Sequence, residues 1–230
     1  IPQEKFDYQK TLDTLLTFLK ENKLTYNLFK FLRYLANDNR ISKHSEKTAA
    51  ILSEHILKIF RNESDWRKTE TVKTLAQISP EKISSDEIIK ALEYYIDDDY
   101  ILALLICLES HEKEYEKFIG KLISFISWEP KSFDRFNINE DGTPKILDET
   151  KEKIGIHAMN LMTKILVSKD NKFSGEVLTD ILNQLRTVFS GIWDSKSLKN
   201  SKRFAPAENL LNQIIKRRDM GVQIKVIQYC

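Results

Sequence analysis

The four histidines are the first residues of this chain that could ligate a metal, and their spacing argues against such a site. They are His44, His55, His111 and His157. No two of them stand at the short helical spacing that places two ligands on one face of a helix. His55 lies among apolar residues, where a histidine held in the protein core is the simpler interpretation. The sequence therefore predicts no zinc site built on histidine.

A second candidate for metal binding is the segment 137–148, NINEDGTPKILD, whose oxygen-bearing residues follow the spacing of a calcium loop. Asn137 replaces the usual first aspartate, and Asp148 replaces the glutamate expected at the twelfth position. Pro144 also falls where such a loop pairs as a strand. These departures favour a plain turn, so we expect no metal and no cofactor.

Catalytic motifs are not visible either. The six glycines are scattered singly, so there is no glycine-rich loop to hold a phosphate and no Gly-x-Ser-x-Gly motif. Acidic clusters such as Asp97-Asp98-Asp99 suit helix N-termini, where the helix dipole favours negative charge. A metal-dependent hydrolase would need carboxylates that converge from several elements. Such a hydrolase is the third hypothesis, after protein binding and nucleic-acid binding, which are considered below. We therefore expect no enzyme activity and no small-molecule substrate.

Positive charge is concentrated towards the C-terminal end. Residues 194–225 hold eight lysines and arginines against three acids, a net +5; the whole chain carries +2, so the rest sums to −3. One interpretation of this region is a binding patch for phosphates or for an acidic protein surface. The other is a solvated loop followed by a helix end, where the cations complement the helix dipole. The candidate contact residues are Lys199, Lys202, Arg203, Lys216, Arg217 and Arg218.

Composition indicates the class of protein that must position these residues. In 230 residues, 41% are hydrophobic, and glycine and proline are scarce, which favours helices with short connections. The longest apolar runs, such as 101–108, are too short to span a bilayer, and no secretory signal is visible. The two cysteines, Cys107 and Cys230, form no disulfide framework. We therefore expect a cytoplasmic or nuclear protein without membrane contact. The chain begins at Ile1 without methionine, which suggests a fragment or a processed product.

Hydrophobic periodicity predicts helices along most of the chain. The predicted caps are Thr25, Ser45, Asp65, Asp86, and Asp98 or Asp99, and the predicted apolar faces include Phe31 and Ile51. Segment 128–150 has two prolines and an Asp-Gly, and predicts a β-hairpin that turns at Asn139–Gly142; the alternation at 222–226 predicts a strand. The predicted helices cover 7–22, 25–36, 45–61, 66–78, 87–96, 100–110, 112–127, 150–168, 175–192 and about 206–218.

Two of these segments repeat each other. With Asp65 aligned to Asp98, a shift of 33 residues, Val72 meets Leu105 and Leu75 meets Leu108. Both units then read as helix, acidic turn, helix, and such a pair buries its apolar stripe by stacking on neighbouring pairs.

The segments AILSEHILKIFRNESDWRKTETVKTLAQI and DEIIKALEYYIDDDYILALLICL, which span most of residues 49–110, resemble the HEAT-repeat family. The resemblance implies an α-solenoid, a curved scaffold that binds protein or nucleic acid. An irregular helical bundle is the alternative fold. The second segment has no basic residue after its aspartate, where the family has one. Its second helix is apolar nearly all round, which predicts a central position in the stack.

Together these observations predict an all-α fold of stacked antiparallel helix pairs with a small β-hairpin insertion. HEAT-like repeats would occupy residues 1–127, the insertion 128–150, and a second helical part of the same array, with the basic end, 151–230. The predicted function is a non-catalytic scaffold for protein–protein interaction. The alternative is a helical protein that binds nucleic acid through the basic region 196–218.

Overall fold

The computed structural model describes residues 7–21, 25–37, 46–62, 65–94, 97–111, 117–127, 149–167, 173–193 and 202–216, and within these ranges every regular element is helical. The all-α prediction is therefore confirmed for this part of the chain. The predicted hairpin turn at Asn139–Gly142 and the predicted strand at 222–226 lie outside the described residues. The helices are α1 (Tyr8–Lys20), α2 (Tyr26–Asn37), α3 (Glu46–Asn62), α4 (Asp65–Ile78), α5 (Ser85–Glu93), α6 (Asp98–Leu108), α7 (Ile119–Ile126), α8 (Glu149–Val167), α9 (Gly175–Trp193) and α10 (Phe204–Lys216).

Local hydrogen bonds explain where several helices begin. The Thr25 hydroxyl accepts a hydrogen bond from the Leu28 amide at 3.3 Å, as the predicted cap requires. Helix α5 is capped by Ser84 and not by Asp86, and α6 by Asp97 and not by Asp98 or Asp99. A cap residue needs extended backbone before the first turn, and the predicted aspartates lie one or two residues later, within that turn.

The chain divides into two compact units, Ile1–Ser110 and His111–Cys230. The first unit contains α1 to α6, which we take two at a time in chain order as the helix pairs α1/α2, α3/α4 and α5/α6. Helix α1 packs on α3, α2 on α4, and α4 on α6, while α3 packs on α4 and α5 on α6. A 3₁₀ turn, Pro80–Lys82, joins the second pair to the third and packs on both α4 and α6.

The residues matched by the 33-residue alignment lie in the core of the first unit. Val72, Leu75, Leu105 and Leu108 are all fully buried, and the two helices that carry them begin at Asp65 and Asp98. The four residues are therefore buried at matching distances from the starts of two helices that pack on each other. Helix α6, which is predicted to be central, is buried on most sides. Within the first unit, however, the helix that packs on a second helix on either side is α4, which contacts both α2 and α6.

The second unit contains α7 to α10. Helix α7 packs on α8 and α9, and α10 packs on the same two helices. Helix α8 supplies much of the core through Ile154, Ala158, Met159 and Met162, which are fully buried. Helix α7 belongs to the second unit, and its buried side packs on α8 and α9.

No helix in the described part of the chain is long and apolar enough to cross a membrane.

Candidate interaction surfaces

Charged side chains link successive helix pairs of the first unit. Arg33 of α2 donates to Glu70 of α4, with Nη1 and Oε2 2.6 Å apart. Arg61 of α3 donates to Glu87 of α5 through Nε at 2.6 Å and through its terminal nitrogen at 3.3 Å. These links join the first pair to the second and the second pair to the third.

Two further links join α4 to α6. The Thr69 hydroxyl donates to Asp97 at 2.9 Å, and Lys73 donates to Asp99 at 2.6 Å. In all four links the donor belongs to the earlier pair and the carboxylate to the later pair. Lys82 of the 3₁₀ turn pairs with Glu54 of α3 at 3.0 Å, in the opposite sense. Most of these cations are therefore committed to intramolecular contacts and are poor candidates for binding a partner.

Helix α4 buries polar residues that the sequence pattern placed on no apolar face. Thr69, Glu70, Thr71 and Thr74 are all buried. The hydroxyls of Thr71 and Thr74 donate to backbone carbonyls one turn earlier, at 2.8 Å in each case. Because each of these groups has a partner, burying it does not leave an unmet hydrogen bond. This polar face serves packing between helix pairs.

The basic C-terminal region is described in part. Lys202, Arg203 and Lys216 fall within the described residues, and Lys199, Arg217 and Arg218 lie outside them. Lys202 and Lys216 are exposed and flank the two ends of α10. They stand 14 residues apart, which corresponds to about 20 Å along a helix. The structure does not bring these two lysines together.

Arg203 has a structural position at the start of α10. Its side chain is buried, with 9% of the residue exposed, and its terminal nitrogen donates to the Lys151 carbonyl at 3.1 Å. A Cβ atom on Gly155 would lie 3.5 Å from the Arg203 guanidinium carbon and 3.1 Å from the Ile126 carbonyl oxygen. The guanidinium is therefore in ordinary contact range of α8, while the Ile126 carbonyl oxygen is the tight neighbour of Gly155. Because Arg203 is buried, a ligand could not reach it freely.

The surroundings of Lys202 are not uniformly basic. Glu149, the first residue of α8, pairs with Lys153 at 3.0 Å. That hydrogen bond, the charge of Lys153 and the charge of Lys202 together hold the pKa of the Glu149 carboxyl below its ordinary value. The interface through the basic region stays a prediction. The Glu149 carboxylate lies near Lys202, one of its exposed lysines.

An exposed aromatic surface on α2 is a stronger candidate. Tyr26, Lys30 and Tyr34 follow one another at four-residue steps, so they form one stripe along the helix. The two tyrosines are 50% and 69% exposed, and Phe31 beside them is also exposed. The Lys30 ammonium lies 5.4 Å from the centre of the Tyr26 ring. We call these four residues the aromatic face of α2.

The opposite side of α2 explains why this face points outwards. Phe29 and Leu32 are buried on the side of α2 that packs against α4. The helix therefore carries large apolar rings on both sides, and only one side can be covered by α4. Phe31 is predicted to lie on the apolar face, and its exposure corrects that prediction. The sequence feature that could have indicated this surface is the number of aromatic residues in α2, which is more than one packed side can hold.

Among the described residues, reactive groups elsewhere are either buried or dispersed. Cys107 is fully buried in α6, and burial raises the pKa of its thiol to about 12. A thiol with that pKa is not a nucleophile near neutral pH. His55, predicted to lie in the core, is only partly buried. Across the described ranges no three histidine, cysteine or acidic side chains converge on a point where a metal could bind.

Comparison with known proteins gives no further guide. No family model, curated protein or solved structure matches this chain.

Proposed function

We propose that the protein is a non-catalytic interaction scaffold that binds a partner protein through the aromatic face of α2. The observation that carries this proposal is the exposure of three aromatic rings on a helix whose other side is already packed. Soluble proteins seldom leave such groups of large apolar side chains open to water unless they bind something. Tyrosine is also among the residues that contribute most to binding energy at protein interfaces.

We further propose that the first unit is a short HEAT-like α-solenoid. The contacts that support this arrangement run from α2 to α4 and from α4 to α6, with α1 packing on α3. Second helices therefore meet second helices of the adjacent pair, as they do in stacked repeats. Ion pairs at successive junctions would fix the spacing between the pairs. An extended stack of this kind suits a scaffold because it offers a long surface for a modest number of residues.

The test is affinity capture of the tagged chain from its own source cells, with and without nuclease. A Tyr26→Ser/Tyr34→Ser variant is compared with the original chain, and Tyr94→Ser serves as the matched control because Tyr94 is 71% exposed on another helix pair. We expect a protein partner that survives nuclease, is lost with the α2 variant and is kept with the control. Equal capture by all three chains would contradict a binding role for α2.

The second candidate function is nucleic-acid binding through the basic region. The observation in its favour is that Lys202 and Lys216 are both exposed at the ends of α10. Binding through several phosphates would make the affinity fall steeply with salt. Replacing Lys202, Lys216, Arg217 and Arg218 with serine should flatten that dependence, and Arg203 is left in place because it is buried. An unchanged salt dependence would remove these residues from consideration.

A further inference from the structure

The charge of the aromatic face has one sign. Helix α2, YNLFKFLRYLAN, contains Lys30 and Arg33 and no acidic residue. Arg33 is committed to the buried carboxylate of Glu70. Lys30 therefore provides the exposed charge, and it lies between the two exposed tyrosines.

The dimensions of the face suit a second helix. Tyr34 lies eight positions after Tyr26, so the stripe extends about 12 Å along the helix, with Lys30 midway. Residues three, four and seven positions apart on a partner helix cover a similar length, which is how amphipathic helices dock into apolar surfaces. The ammonium now rests near the Tyr26 ring at 5.4 Å. That contact is weaker than a direct ion pair, so the ammonium could move to a carboxylate of the partner.

From this geometry we infer the chemical class of the partner: an acidic amphipathic helix whose apolar side covers Tyr26, Phe31 and Tyr34 and whose carboxylate pairs with Lys30. The inference rests on the proposed function, because it names the partner of the same surface. Tyrosine hydroxyls at the rim would donate further hydrogen bonds to carboxylates. A nucleic-acid strand is less suited, since one exposed ammonium over 12 Å offers little to a chain with a phosphate on every nucleotide.

The experiment uses synthetic helical peptides of 18 residues as probes. Each peptide has leucine along its apolar face. The residues of its polar face are glutamate in the first peptide, glutamine in the second and lysine in the third. Binding to the full chain is followed by fluorescence anisotropy. We expect the glutamate peptide to bind about 10-fold more tightly than the glutamine peptide, since charge complementarity discriminates between partners.

Variants then separate the ring contacts from the charge. Tyr34→Ser should weaken the glutamate peptide about 10-fold, while Tyr94→Ser, its match in exposure, should not. Lys30→Glu should weaken binding of the glutamate peptide by about 10-fold and strengthen binding of the lysine peptide, since the charge on the α2 side of the pair is reversed. Lys90→Glu, at an exposed position of α5, is the charge control. Unchanged circular dichroism and melting temperature show that each variant is folded.

Each contrary result has a distinct meaning. If Tyr34→Ser abolished binding of the glutamate peptide and Lys30→Glu had no effect, the inference of an acidic partner would be overturned. The proposal that the aromatic face of α2 binds a partner would still stand. No binding of the glutamate peptide would also overturn the acidic helix. A single-stranded dT20 probe that binds and is lost with Tyr26→Ser and Tyr34→Ser would assign the face to nucleic acid.

Discussion

Glu87 gives the sharpest test of the packing described above, because one carboxylate serves two purposes. It accepts from the Ser84 amide at 3.0 Å, and the Ser84 hydroxyl accepts from the Glu87 amide, which completes a capping box at the start of α5. The same carboxylate pairs with Arg61 of the preceding helix pair at 2.6 Å. The Arg61 hydrogen bond is the largest cause, ahead of Ser84, that lowers the pKa of Glu87 from 4.5 to about 2.

The magnitude can be worked out in two ways. A pKa lowered from 4.5 to about 2 corresponds to about 3 kcal/mol of stabilisation at neutral pH, since one pH unit is worth about 1.4 kcal/mol. That is a ceiling, because the Glu87 side chain is 27% exposed and the Arg61 side chain 49% exposed. Separate contributions of about 1 kcal/mol for the cap and up to about 1 kcal/mol for a solvent-exposed pair give about 2 kcal/mol.

Two substitutions divide these contributions. Glutamine also completes a capping box, so Glu87→Gln should lose the charge alone, about 1 kcal/mol, and Glu87→Ala about 2 kcal/mol. Because the folded pKa is lowered, the stabilisation is complete above pH 4.5, declines as the pH falls, and is gone near pH 2. Urea unfolding followed by circular dichroism from pH 7 to pH 2 measures the difference between the original chain and Glu87→Gln.

The control is Glu93→Gln, at an exposed position of the same helix, where a change within about 0.5 kcal/mol is expected. A difference between the original chain and Glu87→Gln that stayed constant from pH 7 to pH 2 would refute the electrostatic reasoning. Equal effects of the glutamine and alanine variants would refute the cap.

Three further predictions use the same urea assay or a thiol reagent. Gly155→Ala should cost about 1–2 kcal/mol by overpacking against a carbonyl oxygen only 3.1 Å away, whereas Gly120→Ala, with no atom within 4 Å, should stabilise α7 by about 0.5 kcal/mol; changes of the same sign would contradict this. Arg33→Met should cost about 3 kcal/mol by leaving the Glu70 carboxylate buried without its arginine, and a second change, Glu70→Met, should restore most of it; no recovery would argue against an ion-pair origin. Because burial raises the pKa of Cys107 to about 12, its labelling by iodoacetamide at pH 8 in a chain whose terminal cysteine is replaced by serine should be slow until urea unfolds the protein, and rapid labelling of the folded chain would contradict its burial.

Much of the helical pattern could be predicted from the sequence. The helix that begins at Asp65 and the one that begins at Asp98 follow from three- and four-residue hydrophobic spacing, and their matched core residues are buried. Helix starts were harder to place to the residue. Neighbouring polar residues such as Ser84 and Asp86 are all chemically able to cap, and the backbone conformation decides between them.

Periodicity could not predict which polar residues are buried or which aromatic residues are exposed. Thr69 and Glu70 are buried because hydrogen-bond partners come from distant parts of the chain, and no local pattern reports those partners. Ile51 and Phe31, both predicted to face inwards, are exposed, because their helices have more apolar residues than neighbouring helices to cover them. Charge counting likewise grouped Arg203 with the exposed lysines, although its guanidinium is buried against the backbone of α8.

The order of donors and carboxylates in the first unit has a consequence for how such a chain could lengthen. In four of the described links the earlier pair supplies the donor and the later pair the carboxylate, as in Arg33 with Glu70 and Lys73 with Asp99, whereas Lys82 and Glu54 run the other way. These four links therefore give the order of the helix pairs a direction. Helix pairs added at either end in the same orientation would keep these four links, whereas reversing the order of the pairs would break them.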